Sequence, residues 1–269
     1  PGTDILCLPA RTYPEKTHTA HLIGYTLQAD TDKSPSQAGR VHYDLRGLKG
    51  RKGLEHIYNP LLPGTYGYQL LQIDAAGFHN HTLQTTPPKA GGDLKLTLDA
   101  EIQRMATEAL ANKQTGEYAG PVKGAAVVLD ATNGDVLALV SSPSFDPNRY
   151  MESSLYRQQL LTDSDARTFQ RAVFGQYPPG STFKPITALS ALKENALLFQ
   201  EKHTCARDYR NESGRPMRCW IHSQGGSHGS INMQEAIMQS CNIYFYELAQ
   251  EMGYAPIYET ARAFGIGQY

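Results

Sequence analysis

The run Pro87-Pro88-Lys89-Ala90-Gly91-Gly92 constrains this chain most, because the sequence changes character across it. Proline fixes φ and lacks a backbone donor, and glycine leaves φ free, so neither a helix nor a strand ladder continues through such a segment. Before it, residues 1–92 are rich in turns and poor in helix signals. Short β-prone runs, Leu22–Tyr25 and Tyr68–Ile73, sit between Gly, Pro and Asp clusters, and Gln28–Arg40 reads as an exposed loop. After it, Asp93–Leu98 alternates like a strand. Asp99 is placed to cap a helix through Asn112 with Ile102, Met105, Ala106, Ala109 and Leu110 on one face. Gly124–Asp130 and Asp135–Ser142 are apolar strands around Asn133-Gly134, a hairpin signal because both turn residues tolerate positive φ. Both strands read as buried on both faces, in the middle of a sheet. Helical patterns follow at Ser181–Leu192, Ile231–Gln239 and Asn242–Gly253. The expectation is an α+β chain: a β-rich, extended accessory domain over residues 1–92, then a domain with a central antiparallel sheet and helices over 93–269.

The 25 Lys and Arg nearly balance 26 Asp and Glu, for a formal charge of −1. That balance argues against a nucleic-acid binder, which needs a basic face. Hydrophobic residues make up 40% of the chain, enough to build a core. No apolar stretch approaches the ~18 residues of a membrane-spanning helix. The sequence opens on Pro1 with no leader pattern, so it reads as a mature or trimmed piece. Four cysteines are too few for a disulfide scaffold of this size.

The strongest chemical feature is Tyr177-Pro178-Pro179-Gly180-Ser181-Thr182-Phe183-Lys184-Pro185. The prolines forbid helix before the serine and Gly180 permits a sharp turn, so Ser181 is expected at a helix start. Phe183, Ile186, Leu189 and Leu192 would form that helix's buried stripe. Lys184 is about one turn on, so its amine can lie beside the serine hydroxyl. A serine at its free pKa is a poor nucleophile and needs a base. An amine can serve once burial lowers its pKa toward neutrality. The helix N-terminus would also favour an oxyanion near Ser181. A capping serine followed by a surface lysine is the plain alternative. Ser240-Cys241-Asn242 lies between two helical patterns, where a hydroxyl and an amide can relay a proton and hold a substrate amide. A simple helix cap is the plain alternative for Asn242.

Ser-x-x-Lys followed by Ser-x-Asn resembles the motif pair of penicillin-binding proteins and serine β-lactamases. Gly53-Leu54-Glu55 resembles the accessory-domain signature of class B penicillin-binding proteins. Leu94–Gln103, Gly134–Asn148, Arg171–Pro185 and Ser240–Tyr246 resemble transpeptidase segments of the elongation-type members. The resemblance implies a pedestal domain followed by a serine transpeptidase domain. It makes Ser181 the acylated nucleophile, Lys184 its base and the Ser181 N–H half of the oxyanion hole. Ser240 would serve in proton transfer, and Asn242 would bind the peptide amide.

The implied reaction is D,D-transpeptidation of peptidoglycan stem peptides, with β-lactams as mimics that stall as the acyl-enzyme. Implied partners are a polymerase and other proteins of the elongation machinery. The implied place is the periplasmic face of the bacterial inner membrane, through an anchor outside this sequence. The family's third motif, Lys-(Ser/Thr)-Gly, occurs nowhere in the chain. The resemblance therefore implies that it lies beyond Tyr269 and that residues 1–269 alone are inactive. A D,D-carboxypeptidase or β-lactamase-like hydrolase, and a non-catalytic β-lactam sensor or scaffold, are the alternatives.

Cys205, Cys219, His228 and Cys241 follow the pattern Cys-x13-Cys-x8-His-x12-Cys. Three thiolates and an imidazole suit tetrahedral zinc. A Cys205–Cys219 disulfide and plain buried thiols are the rival readings. The resemblance favours one structural Zn2+, since some relatives use Asp, Asp, His and Cys at corresponding places; no organic cofactor is implied. Cys7 reads as a spare thiol and Glu55 as a structural salt bridge. His18, His21, His79 and His81 read as surface histidines. Tyr244, Phe245 and Tyr246 read as core.

Overall fold

The computed structural model describes residues 10–28, 47–65, 67–73, 79–111, 122–206, 209–211 and 213–268. Cys7 and the loop expected over Gln28–Arg40, beyond its first residue, lie outside these. The chain divides into two compact units, Pro1–Gln176 and Tyr177–Tyr269. The change of character at residues 87–92 therefore falls inside the first unit.

The first unit runs α1 (Ala20–Ile23), β1 (Tyr25–Gln28), β2 (Leu48–Lys52), α2 (Gly53–Ile57), β3 (Tyr68–Ile73), β4 (His79–Thr86), α3 (Ala100–Ala111), β5 (Gly124–Leu129), β6 (Val136–Ser142), α4 (Pro147–Glu152), α5 (Ser154–Leu161) and α6 (Arg171–Phe174). Its strands pair antiparallel as β1–β2, β3–β4 and β5–β6. Tyr13, Ala20, Tyr25, Phe145 and Leu160 form its buried apolar cluster. Gly53 starts α2 at φ +60°, where a Cβ would stand 2.5 Å from the Leu22 carbonyl oxygen, so only glycine fits. Two residues on, buried Glu55 takes a two-pronged bond from Arg11, with Nε 2.7 Å and Nη2 3.1 Å from its oxygens. Glu55 is thus the structural ion pair that the sequence suggests.

Several local expectations are corrected here. Leu22 and Ile23 end helix α1, and the strand starts only at Tyr25, after Gly24 turns at φ +82°. Asp93–Leu98 keeps an alternating burial but joins no ladder; Thr97 instead bonds the Val136 carbonyl at 2.8 Å. Asp99 does cap α3, accepting from the N–H groups of Glu101 and Ile102 at 2.9 Å. The buried face of α3 is polar, however. Gln103 and Thr107 are buried, whereas Met105 is 61% exposed. The Gln103 amide explains this rotation: it donates to His18 O and Leu139 O and accepts from Leu139 N–H, joining α3 to β6.

Strand β5 alternates in burial and exposes Val127 and Leu129, so it is not covered on both faces. Among the described residues only β6 pairs with it. Its turn is wider than two residues: Asp130 N–H bonds Asp135 O, and only Gly134 takes positive φ. His21 is buried rather than superficial, with Nε2 2.7 Å from Arg167 O.

The second unit contains α7 (Lys184–Glu194), β7 (His203–Cys205), β8 (Gly229–Ile231), α8 (Met233–Met238), α9 (Asn242–Met252) and α10 (Tyr254–Ala263). β7 and β8 pair antiparallel. Ile231 belongs to β8, because Asn232 caps α8 in a reciprocal box with Glu235. The core gathers Ala188, Ala191, Met233, Ala236, Ile243, Tyr244 and Leu248 around the thiols. Truncating fully buried Leu248 to Ala would cost about 2–5 kcal/mol. α7 buries Ile186, Thr187, Ala188, Ser190 and Ala191, while Leu189 is 41% exposed. Small side chains on that face replace the leucine stripe expected from periodicity. Tyr244 and Phe245 are core, whereas Tyr246 is 36% exposed.

Candidate active site and thiol cluster

Ser181 lies in a single tight turn, Gly180–Phe183, that runs straight into α7. Gly180 enters it at φ +55°, a value glycine adopts freely. Lys184 is the first residue of α7. Its Nζ donates to Ser240 O at 2.7 Å, Ser240 Oγ at 3.0 Å and Asn242 Oδ1 at 2.8 Å. Ser240 Oγ lies 3.0 Å from Ser181 Oγ. The structure thus brings Ser181, Lys184, Ser240 and Asn242 together, with the amine joined to the Ser181 hydroxyl through Ser240. Burial lowers the Lys184 pKa below the ordinary lysine value, and the thiol groups of Cys219 and Cys241 oppose that shift.

The hinge of this site is a helix end. α8 closes in a Schellman motif: Cys241 N–H bonds Ala236 O at 2.9 Å and Ser240 N–H bonds Ile237 O at 3.1 Å. The left-handed position of that motif normally belongs to glycine. Here Ser240 occupies it at φ +50°. Cys241 then stands at the N-cap of α9 without capping through its side chain, so Asn242 is not the cap.

Cys205, Cys219 and Cys241 are free and buried. Their sulfurs and a His228 ring nitrogen all lie within 4.8 Å of one another. Cys205 Sγ and Cys219 Sγ are each 3.5 Å from His228 Nδ1, and Cys219 Sγ is 3.9 Å from Cys241 Sγ. Zn–S bonds of about 2.3 Å and Zn–N bonds of about 2.0 Å set tetrahedral edges of about 3.8 Å between sulfurs and about 3.5 Å from sulfur to nitrogen. The donor set therefore fits zinc at ligand spacing. Burial, then the charges of His222 and Lys184, lower the His228 pKa and keep the imidazole neutral, as a ligand must be. Burial pushes the Cys241 thiol up to about 12. For Cys219 burial acts in the same direction, but the amides of Asn242 and Ile221 and the thiols of Cys241 and Cys205 outweigh it, so its pKa falls.

His222 was not among the residues singled out from spacing. Its Nδ1 accepts from Cys219 N–H at 3.4 Å, which leaves the proton on Nε2, 3.7 Å from Cys205 Sγ. It is therefore an N–H donor to the Cys205 sulfur rather than a rival for the His228 position. Its signal in the sequence was only its place three residues after Cys219.

Residues 124–269 match the family model of the penicillin binding protein transpeptidase domain, and residues 1–96 match that of the penicillin-binding protein dimerisation domain, so the chain belongs to the penicillin-binding proteins. Within that family it is 35% identical to peptidoglycan D,D-transpeptidase MrdA of Acinetobacter baumannii, across 100% of this chain and 38% of that protein. Among solved structures it is similar to penicillin-binding protein PBP2 of Helicobacter pylori, determined in complex with MreC. That match has a TM-score of 0.75 and 27% identity, and covers 96% of this chain and 45% of that one. A chain of a peptidoglycan synthase complex that coordinates polymerization and crosslinking matches with a TM-score of 0.76 and 30% identity, over 96% of this chain and 45% of its own. The chain thus spans less than half the length of these relatives.

Proposed function

We propose that this chain works in a peptidoglycan D,D-transpeptidase that cross-links stem peptides during cell elongation, at the periplasmic face of the bacterial inner membrane. The observation that carries the proposal is the hydrogen-bonded series Ser181–Ser240–Lys184–Asn242. With Lys184 as neutral amine, the series runs toward the base. Ser181 gives its proton to Ser240 Oγ as Ser240 gives its own to Lys184 Nζ. Ser181 Oγ then attacks the carbonyl carbon of the penultimate D-Ala, with the Ser181 N–H stabilising the oxyanion. The peptide C–N bond breaks, and the terminal D-Ala leaves with the relayed proton. An amine of a second stem attacks the ester carbonyl, the C–O bond to Ser181 breaks as the new peptide bond forms, and a proton from that amine passes to Ser181 Oγ. Asn242, fixed through its Oδ1 by Lys184, binds the peptide amide. A β-lactam would acylate the same oxygen by ring opening and remain there.

Cys205, Cys219, His228 and Cys241 would hold a structural Zn2+, which when bound supplies a closed four-ligand staple between β7, the segment after Cys219 and the start of α9. That staple would fix Ser240 from the adjacent residue. The MreC complex of the Helicobacter pylori relative, and the synthase complex of the other, support partners from the elongation machinery, including a polymerase.

Intact mass after incubation with a fluorescent penicillin tests the reading. The full-length protein should gain one label, Ser181→Ala should gain none, and residues 1–269, which contain no Lys-(Ser/Thr)-Gly, should gain little. A labelled Ser181→Ala protein would overturn it.

A further inference from the structure

A second group of ligand-bearing side chains lies in the C-terminal unit, apart from the thiol cluster. Helix α9 carries Tyr244, Glu247 and Glu251, spaced three and four residues apart, so one face presents all three. Strand β7 begins with His203, and Glu201 precedes it by two residues. His203 is 8% exposed. Its Nδ1 lies 3.1 Å from Glu247 Oε2 and 3.8 Å from Glu251 Oε1. Ligand atoms of Glu201, His203 and Glu251 all fall within 4.8 Å of one another.

The charges in this group do not balance. Three carboxylates face one imidazole, and among the described residues no Lys or Arg ion pair reaches any of them. Glu247 and Glu251 are also a like-charged pair one turn apart, which disfavours a helix. Two buried polar atoms of the group have no hydrogen-bond partner, His203 Nε2 and the Tyr244 hydroxyl. Tyr244 is 1% exposed, and its ring meets the His203 ring edge-on at 4.8 Å between centroids. A buried polar group left without a partner destabilises the fold unless something completes it.

We propose that Glu201, His203 and Glu251 form a divalent transition-metal site, with Glu247 orienting the imidazole. Imidazole nitrogen with carboxylate oxygens suits ions such as zinc or manganese, and a carboxylate bonded to a ligating histidine is a recurrent support for them. The ion would offset the carboxylate charge around His203. The site ties β7 to α9, the helix that begins at Asn242.

Cobalt is the probe, because thiolate-to-cobalt charge transfer marks ions in the thiol cluster and is missing from an N/O site. Titration of the full-length protein should show one equivalent bound without charge transfer, and Glu201→Gln/Glu251→Gln should lose that equivalent alone. Both glutamates are exposed, so the variant leaves the core intact; an unchanged charge-transfer band and melting temperature verify this. Wild-type protein that binds no cobalt outside the charge-transfer signal, or a double variant that keeps it, overturns the proposal. Neither outcome depends on acylation at Ser181.

Discussion

The Lys184 amine lies 3.0 Å from the Ser240 hydroxyl, and it reaches the Ser181 oxygen only through that hydroxyl, which stands a further 3.0 Å away. A base placed this way depends on its intermediary. Ser240→Ala should slow acylation by penicillin about 10²–10⁴-fold, the range of a lost proton-transfer group, while Ser181→Ala abolishes it. Stopped-flow acylation kinetics measure the effect. A Ser240→Ala protein that acylates at the wild-type rate would remove the relay.

The same amine sets a pH dependence. Burial makes the charged form of Lys184 less favourable, so its pKa lies below the ordinary 10.5. In the proposed reaction the neutral amine is the base. Acylation should therefore rise with pH and level off with a midpoint below 10.5. A profile that falls across this range, or is flat when diffusion and binding are not limiting, counts against Lys184 as base.

Ser240 stores strain at the junction of α8 and α9. A non-glycine residue at φ +50° costs of the order of 1–3 kcal/mol. Ser240→Gly removes that strain and, with it, the hydroxyl. The expected outcome is a protein as stable as wild type or more stable by up to about 1 kcal/mol in urea unfolding, yet deficient in acylation. A loss of stability in this variant would mean that the Lys184–Ser240 bonds outweigh the backbone term.

The proximity of Ser181, Lys184, Ser240 and Asn242 was readable in the sequence because short spacings at helix ends bring side chains together. Ser181 and Lys184 share one turn, and Ser240 and Asn242 bracket a helix boundary. The strained φ of Ser240 also had a trace, a serine where a helix-ending glycine belongs. Gln103 escaped notice for the opposite reason. Its burial follows from three bonds to His18 and Leu139, far away in sequence, and local periodicity instead favoured Met105. Asp93–Leu98 has the alternation of a strand, but a ladder needs a partner that pattern does not specify. His222 was missed because a residue that supports a ligand carries no spacing rule of its own.

The burial of His21 predicts an acid-sensitive N-terminal unit. Burial first, then the charge of Arg171 against the pull of the Arg167 carbonyl, lowers its pKa below 6.5. The unfolded chain then binds the proton more readily than the folded one. Stability is fully present above about 6.5 and declines as pH falls toward the folded pKa. Urea unfolding from pH 7.5 to 5 should show this decline, and His21→Gln should flatten it. Equal slopes in both proteins would assign the acid sensitivity to another group.

The thiol cluster offers a test of its supporting shell. His222 holds Cys219 N–H on one ring nitrogen and faces Cys205 Sγ with the other. In the proposed zinc site its N–H would spread negative charge from the Cys205 sulfur and fix that sulfur's direction. Outer partners of this kind contribute about 10–100-fold in metal affinity. His222→Ala should weaken zinc binding by that factor in competition with a chromophoric chelator, while Cys205→Ser, which removes a ligand, should weaken it far more. Chelation should also lower the melting temperature of wild-type protein, because the unfolded chain holds no preformed site. If His222→Ala binds zinc as tightly as wild type, the imidazole merely fills space beside Cys205. If wild-type protein binds no zinc at all, the three thiols are packing groups and the staple on Ser240 is lost with them.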